Sequence, residues 1–216
     1  MMSHETLSTV KTPVALGLCQ DCPLEAEAAS LLHEDLTLQQ YLDLLIEHAH
    51  FQDATRFLAH ALPTRVAVWW ACLCVRAVLD DRASPQDIAA LQAAETWVYE
   101  PSEEHRRASM MAAEATGLCT PAGWAAVAAF WSGGSLAPPD VPAVPPGACL
   151  STHAVSGAVM LAAVWGEPAH APDMYAAFFA QGKALMAAHK DPGPTSYAAP
   201  HLPRPCAAGA TAAVTA

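Results

Sequence analysis

Isoleucine occurs only twice in this chain of 216 residues, and the valines are scattered inside runs that repeat at helical spacing. Too few β-forming residues remain to build a sheet. Charged side chains are scarce at 14% and aromatics at 7%, yet 53% of the residues are hydrophobic, so the apolar content has another source. That source is alanine, which makes up more than a fifth of the chain. Alanine has the best intrinsic helix propensity and lets helices approach closely. The expected fold is all-α: an irregular bundle of about seven or eight helices in a single domain, long enough to bury a sizeable core.

Positive charge is the scarcer sign. Ten Lys and Arg stand against 21 Asp and Glu, for a formal net charge of −11. Over the first sixty residues, nine acidic side chains face two basic ones. Such a field repels phosphate backbones, so no nucleic acid partner is expected. Nor is there a polybasic patch for anionic lipid. The N-terminal stretch "MMSHETLSTVKTPVALGLCQDC" lacks a secretory pattern, its apolar patch being too short, and a cytoplasmic location is the expectation. The seven cysteines are irregularly spaced and odd in number, which argues against a disulfide framework.

No run is long enough to span a bilayer. The most hydrophobic stretch, "FLAHALPTRVAVWWACLCVRAVLDD" (57–81), has only ten residues between Arg65 and Arg76, whereas a span needs about twenty. It reads instead as a central buried helix, with both arginines snorkelling at its ends. No membrane contact is expected. Elsewhere the helix starts are legible. Thr37 and Gln40 form a capping box ahead of "YLDLLIEHAH", and "FQDATRFLAHAL" continues the pattern to Leu62. Ser84-Pro85, Ser102 and Thr120-Pro121 open three more helices. Gly117 and the Gly133-Gly134 pair read as stops. Between the last two groups of helices lies "SLAPPDVPAVPPG" (135–147), a proline-rich loop that is neither helix nor central strand. Residues 1–22 are expected to be a flexible N-terminal segment and 23–190 the helical domain. Residues 191–216, rich in Ala and Pro, are expected to be a disordered tail. No internal repeat of 30 to 45 residues is evident.

Motifs that carry chemistry are few. Cys19-Gln-Asp-Cys22 has the spacing of a zinc knuckle but lacks a second ligand pair at the spacing that zinc needs. A thioredoxin-like site would need a strand before it. His48, His50 and His60 lie close in sequence, but positions 48 and 50 would point to different sides of one helix, and HExxH is missing. Ser132-Gly-Gly-Ser135 follows a helix and has no Walker lysine. Ser151-Thr-His153 lies along one helix, where neighbours do not face each other, and GxSxG is absent. The six tryptophans, one or two per helix, are at a spacing that most often means core, with partner anchors as the other reading, and sequence does not sort the two. No catalytic residue, cofactor or metal ligand is therefore assigned. A small metal-binding or redox protein using Cys19/Cys22 or the His48–His60 region stays as an alternative, as does a structural homo-oligomeric assembly subunit.

Two patterns carry a resemblance. Leu62-Pro-x-Arg-x-Ala-x-Trp-Trp-Ala71 and Ser132-Gly-Gly-Ser-x-Ala-Pro-Pro139 resemble an uncharacterised family of bacterial proteins often associated with type VI secretion gene clusters. The similarity covers roughly residues 30 to 190. It implies a cytosolic accessory protein, a non-enzymatic adaptor or co-chaperone whose protein partner is a secretion effector, its chaperone or a spike-tip protein. No catalytic residues come with the resemblance. Val66 is a departure, standing where the pattern suggests a charged residue such as Glu; if that position faces solvent, the surface there has become apolar. The candidate partner-binding residues are Leu136, Pro138, Pro139, Val141 and Pro145 in the loop, together with Arg65 and Val66. A proline-rich loop has little ordering entropy left to lose on docking.

Overall fold

Helices begin where the sequence offers an oxygen to cap them. In the computed structural model, which describes residues 22, 24–80 and 83–188, Thr37 Oγ1 accepts from the Gln40 amide at 3.2 Å while Gln40 Oε1 accepts from the Thr37 amide at 3.0 Å. Ser84, Ser102 and Thr120 each accept from the amide three residues on, at 3.1 Å. Each satisfies one of the four orphan donors of a helix N-terminus. The described residues form α1 (Ala26–Ser30), α2 (Leu38–Glu47), α3 (Phe51–Ala61), α4 (Thr64–Val78), α5 (Pro85–Tyr99), α6 (Glu103–Ala115), α7 (Pro121–Phe130), α8 (Leu150–Ala163) and α9 (Ala171–Ala188). A 3₁₀ turn, Pro168–His170, precedes α9, and no strand occurs among the described residues. The fold is an all-α bundle, as expected. Of the expected flexible segment 1–22 only Cys22 is described, and it is buried; the rest of that segment and the tail 191–216 lie outside the described residues.

Two local details depart from the periodicity. The short α1 was not anticipated; it has only one buried residue, Ala28, whose carbonyl accepts from the Tyr41 hydroxyl at 2.8 Å. The second departure is at His48–His50. Helix α2 stops at Glu47, and the chain turns through Ala49 in the left-handed region, at φ 58°. The His50 amide donates to Leu45 O at 2.9 Å and the Ala49 amide to Ile46 O at 3.0 Å, the double bond pattern of a Schellman stop. Alanine replaces the usual glycine there, which hid the stop from a sequence reading. The expected separation of His48 and His50 on one helix is thereby corrected. Their rings lie stacked, 6.5 Å apart, because the helix ends between them.

The core is built around α4, α7 and α8. Residues 66–72 of α4, including both Trp69 and Trp70, are buried without interruption. The hydrophobic run is thus a core helix, and no helix among the described residues is long and apolar enough to cross a membrane. Helix α7 is more fully enclosed, since every residue in it except Trp124 is buried. Alanines at 122, 125, 126, 128 and 129 allow α4, α5, α6 and α8 to pack on it from several sides. Helix α9 closes the bundle over α3 and α4. The Trp70 indole N–H donates to Phe178 O at 2.9 Å, and Gly182 leaves room that a Cβ would take within 2.4 Å of Leu58 Cδ2.

The two arginines of α4 do not simply snorkel. Arg65 donates to Val98 O at 2.5 Å and Tyr99 O at 2.9 Å, satisfying two orphan carbonyls at the end of α5. Arg76 forks onto the buried carboxylate of Glu95, with Nε–Oε1 at 2.9 Å and an NH2 contact of 2.5 Å to each oxygen. Val66 is buried in the core cluster, so the position does not face solvent and no surface has turned apolar there.

Candidate functional site: a proline loop held by two arginines

The loop between α7 and α8 is tied down by residues one helix away. Ser102 caps α6, which places Glu103 in its first turn and sets Arg106 and Arg107 one turn later, at i+3 and i+4. Glu103 bridges the two guanidinium groups, at 2.6 Å to Arg106 Nε, 2.7 Å to Arg106 NH2 and 2.7 Å to Arg107 Nε. Hydrogen bonding from Arg106 and the two positive charges hold the Glu103 carboxyl below its ordinary range.

Arg106 is only 4% exposed. A guanidinium at that depth needs hydrogen-bond partners, and beyond Glu103 they come from the end of α7 and the loop base. NH1 donates to Phe130 O at 2.5 Å, the cation sits 4.5 Å from the centre of the Phe130 ring, and NH2 reaches Ser135 O at 2.8 Å. Arg107 NH2 continues along the loop to Ala137 O at 3.1 Å. Gly134 makes this approach possible. Its φ is +65°, and a Cβ there would lie 2.8 Å from Arg106 Nε and 2.9 Å from Glu103 Oε2. The expected glycine stop is therefore also a steric requirement of the anchor.

Beyond the anchor the loop closes on itself. Leu136 N donates to Val144 O at 2.8 Å, and Ser135 Oγ accepts from Ala137 N at 3.1 Å and Val144 N at 3.0 Å. The base is thus pinned at both ends, while prolines at 138, 139, 142, 145 and 146 fix φ along the arm. Of the predicted loop residues, Leu136 is half-buried, and Pro138, Pro139, Val141 and Pro145 are exposed. Val141 is 47% exposed and Val144, which the sequence reading did not single out, 52%. Arg65 is engaged at the end of α5 and Val66 is sealed in the core, so the structure does not offer these two beside the loop valines as one exposed patch.

The other candidates separate. Cys19 lies outside the described residues, and Cys22 is buried. The His60 ring rests edge-on to His153 at 6.1 Å, with Nε2 3.3 Å from Thr152 Oγ1. No group of three or more His, Cys, Asp or Glu among the described residues is placed to hold a metal ion. Cys72 and Cys74 sit in the core, where burial pushes both thiols well up, away from the reactive thiolate. Trp69, Trp70 and Trp97 are core residues, Trp124 and Trp131 pack edge to face at 6.2 Å, and Trp165 is exposed.

The sequence reading missed Arg106 and Arg107. Glu103-x-x-Arg106-Arg107 does announce ion pairs at helical spacing, but their reach to a loop some 30 residues later depends on how α6 packs against α7. No curated protein and no solved structure matches the chain. A family model, described as a family of unknown function (DUF6931), matches residues 41–186, which run from α2 to α9 and include the proline loop. The match spans well over half of the sequence, and the chain belongs to the DUF6931 family.

Proposed function

We propose that this protein is a non-enzymatic adaptor or co-chaperone that holds a protein partner with its proline loop. One observation carries the reading: the loop base is fixed by Arg106 and Arg107 while Val141 and Val144 stand exposed on the arm. An exposed apolar surface on a braced backbone has a purpose in recognition, because little conformational entropy is left to lose when a partner docks. The partner class, a type VI secretion effector, its chaperone or a spike-tip component, and the cytoplasmic setting come from the resemblance of Leu62–Ala71 and Ser132–Pro139; the family description names no function.

The test is affinity capture from the native host, with mass spectrometry, using the tagged full chain beside a Val141→Asp/Val144→Asp variant and a deletion of Leu136 to Pro146. A secretion component captured by the parent and lost by both variants, with helicity unchanged, supports the adaptor. Equal capture by parent and variants ends the role of the loop. A homo-oligomeric subunit is a second reading, favoured by Met111 on α6, which is 73% exposed. Light scattering separates the two, since a stable homo-oligomer that captures nothing else supports the second.

A further inference from the structure

A partner can read an extended arm in two ways: as an added β-strand, through backbone amides, or as a polyproline II helix, through side-chain edges. The outer part of the proline loop, Val141-Pro142-Ala143-Val144-Pro145-Pro146, allows only the second. Pro142, Pro145 and Pro146 have no N–H to pair with a sheet edge. The Val144 amide already donates to Ser135 Oγ at 3.0 Å, and the Val144 carbonyl accepts from Leu136 N at 2.8 Å. At most the Ala143 amide is left, and one donor does not build a ladder.

The same residues favour the polyproline II form. Proline fixes φ at 142, 145 and 146. Each residue before a proline is pushed to extended backbone, which restricts Val141, Val144 and Pro145. Ala143 alone lies outside both restraints, and residues 142–147 contain no helix, turn or bend. With about three residues per turn, Val141 and Val144 fall on one edge, and Pro142 and Pro145 on the next. All four are exposed. Asp140, also exposed, stands at the entry to the stretch, and no lysine or arginine occurs between Arg107 and Lys183.

We infer that this stretch is the ligand for a partner domain with an aromatic-lined groove and a basic rim. Trp and Tyr rings of such a groove cover the exposed valine and proline edges, while their N–H and O–H groups donate to the remaining carbonyls. A Lys or Arg on the rim pairs with Asp140. The inference rests on the proposed adaptor role and names the chemistry of its partner.

The probe is a purified SH3 domain, whose groove is aromatic-lined, with the acidic residues of its rim changed to lysine. Calorimetric titration into the full chain should show saturable binding, and the unaltered acidic domain should bind severalfold more weakly. Pro142→Ala/Pro145→Ala should weaken binding about tenfold. Ala143→Pro removes the last amide yet suits the polyproline form, so binding should persist. No saturable binding, or equal affinity in Pro142→Ala/Pro145→Ala, overturns the inference. Loss of binding in Ala143→Pro, with the Val144 amide still protected from exchange, overturns it too, because strand pairing then carries the contact. Tighter binding of the acidic domain overturns the basic rim. Host capture with the same variants separates this inference from the adaptor role. A partner lost by Val141→Asp/Val144→Asp but held by Pro142→Ala/Pro145→Ala leaves the adaptor standing and overturns the polyproline mode. Capture of no loop-dependent partner overturns both.

Discussion

Two of the segments that run between helices and expose apolar side chains are held in opposite ways. The proline loop after α7 is braced by Arg106, Arg107 and the Ser135 hydroxyl, which together occupy both sides of its base. The connection after α8 has Val164 and Trp165 exposed, but the backbone bonds of these two residues are short-range ones, from Val164 N to Leu161 O and from Trp165 N to Ala162 O, at 3.2 and 3.3 Å. The first segment is a built arm. The second borders a cleft of about 550 Å³. Apolar exposure alone therefore does not identify a docking element; what distinguishes the loop is buried charge used to hold it in place.

The contrast breaks most severely at Arg106. Arg106→Ala should cost about 2–4 kcal/mol in denaturant unfolding, because it strands the Phe130 and Ser135 carbonyls and leaves a hole at a buried site. It should also free the loop to exchange its amides like the rest of the surface. Ser135→Ala removes one acceptor shared by two amides, one of them on exposed Val144. About 1 kcal/mol is expected, with loop exchange quickened and the helices untouched.

Acid should loosen the loop through Glu103. Its folded-state pKa lies below the unfolded value, so the stabilisation is fully present above the ordinary Glu value of about 4.3 and is lost as pH falls through the lowered one. Glu103 is more than half exposed, so water and salt screen the pair and the change in global stability should be small. A pH series of loop exchange rates, repeated with Glu103→Gln, checks this: the substitution should remove the acid-dependent step. The smallest effect is expected on the other side of the comparison, where Trp165→Ala should leave the unfolding free energy unchanged to within about 0.5 kcal/mol. A larger loss would mean that the α8–α9 connection is as firmly built as the loop.

Much of the fold was legible because its signals are local. Thr37, Ser84, Ser102 and Thr120 cap helices within three residues of themselves, and the Gly133-Gly134 pair marks the end of the α7 region. The all-α class follows from alanine and the near absence of isoleucine. What stayed hidden is non-local or rests on an untypical residue. Ala49 ends α2 in a conformation that glycine normally announces, so two helices read as one continuous pattern. Arg65 and Arg76 looked like snorkelling ends because their partners, the α5 carbonyls and Glu95, lie 19 to 34 residues away. The candidate loop was visible in its prolines, whereas its anchor was not. Arg106 and Arg107 become part of the site only when α6 packs on α7.

An anchored arm must be held in place before any partner arrives. Hydrogen exchange on the isolated full chain, followed at the amides of Leu136, Ala137 and Val144, measures that directly. These three should exchange more slowly than expected for unstructured chain and lose that protection in Arg106→Ala. Exchange at the unstructured rate in the parent protein would contradict the anchored arm, and with it the reason for placing recognition there.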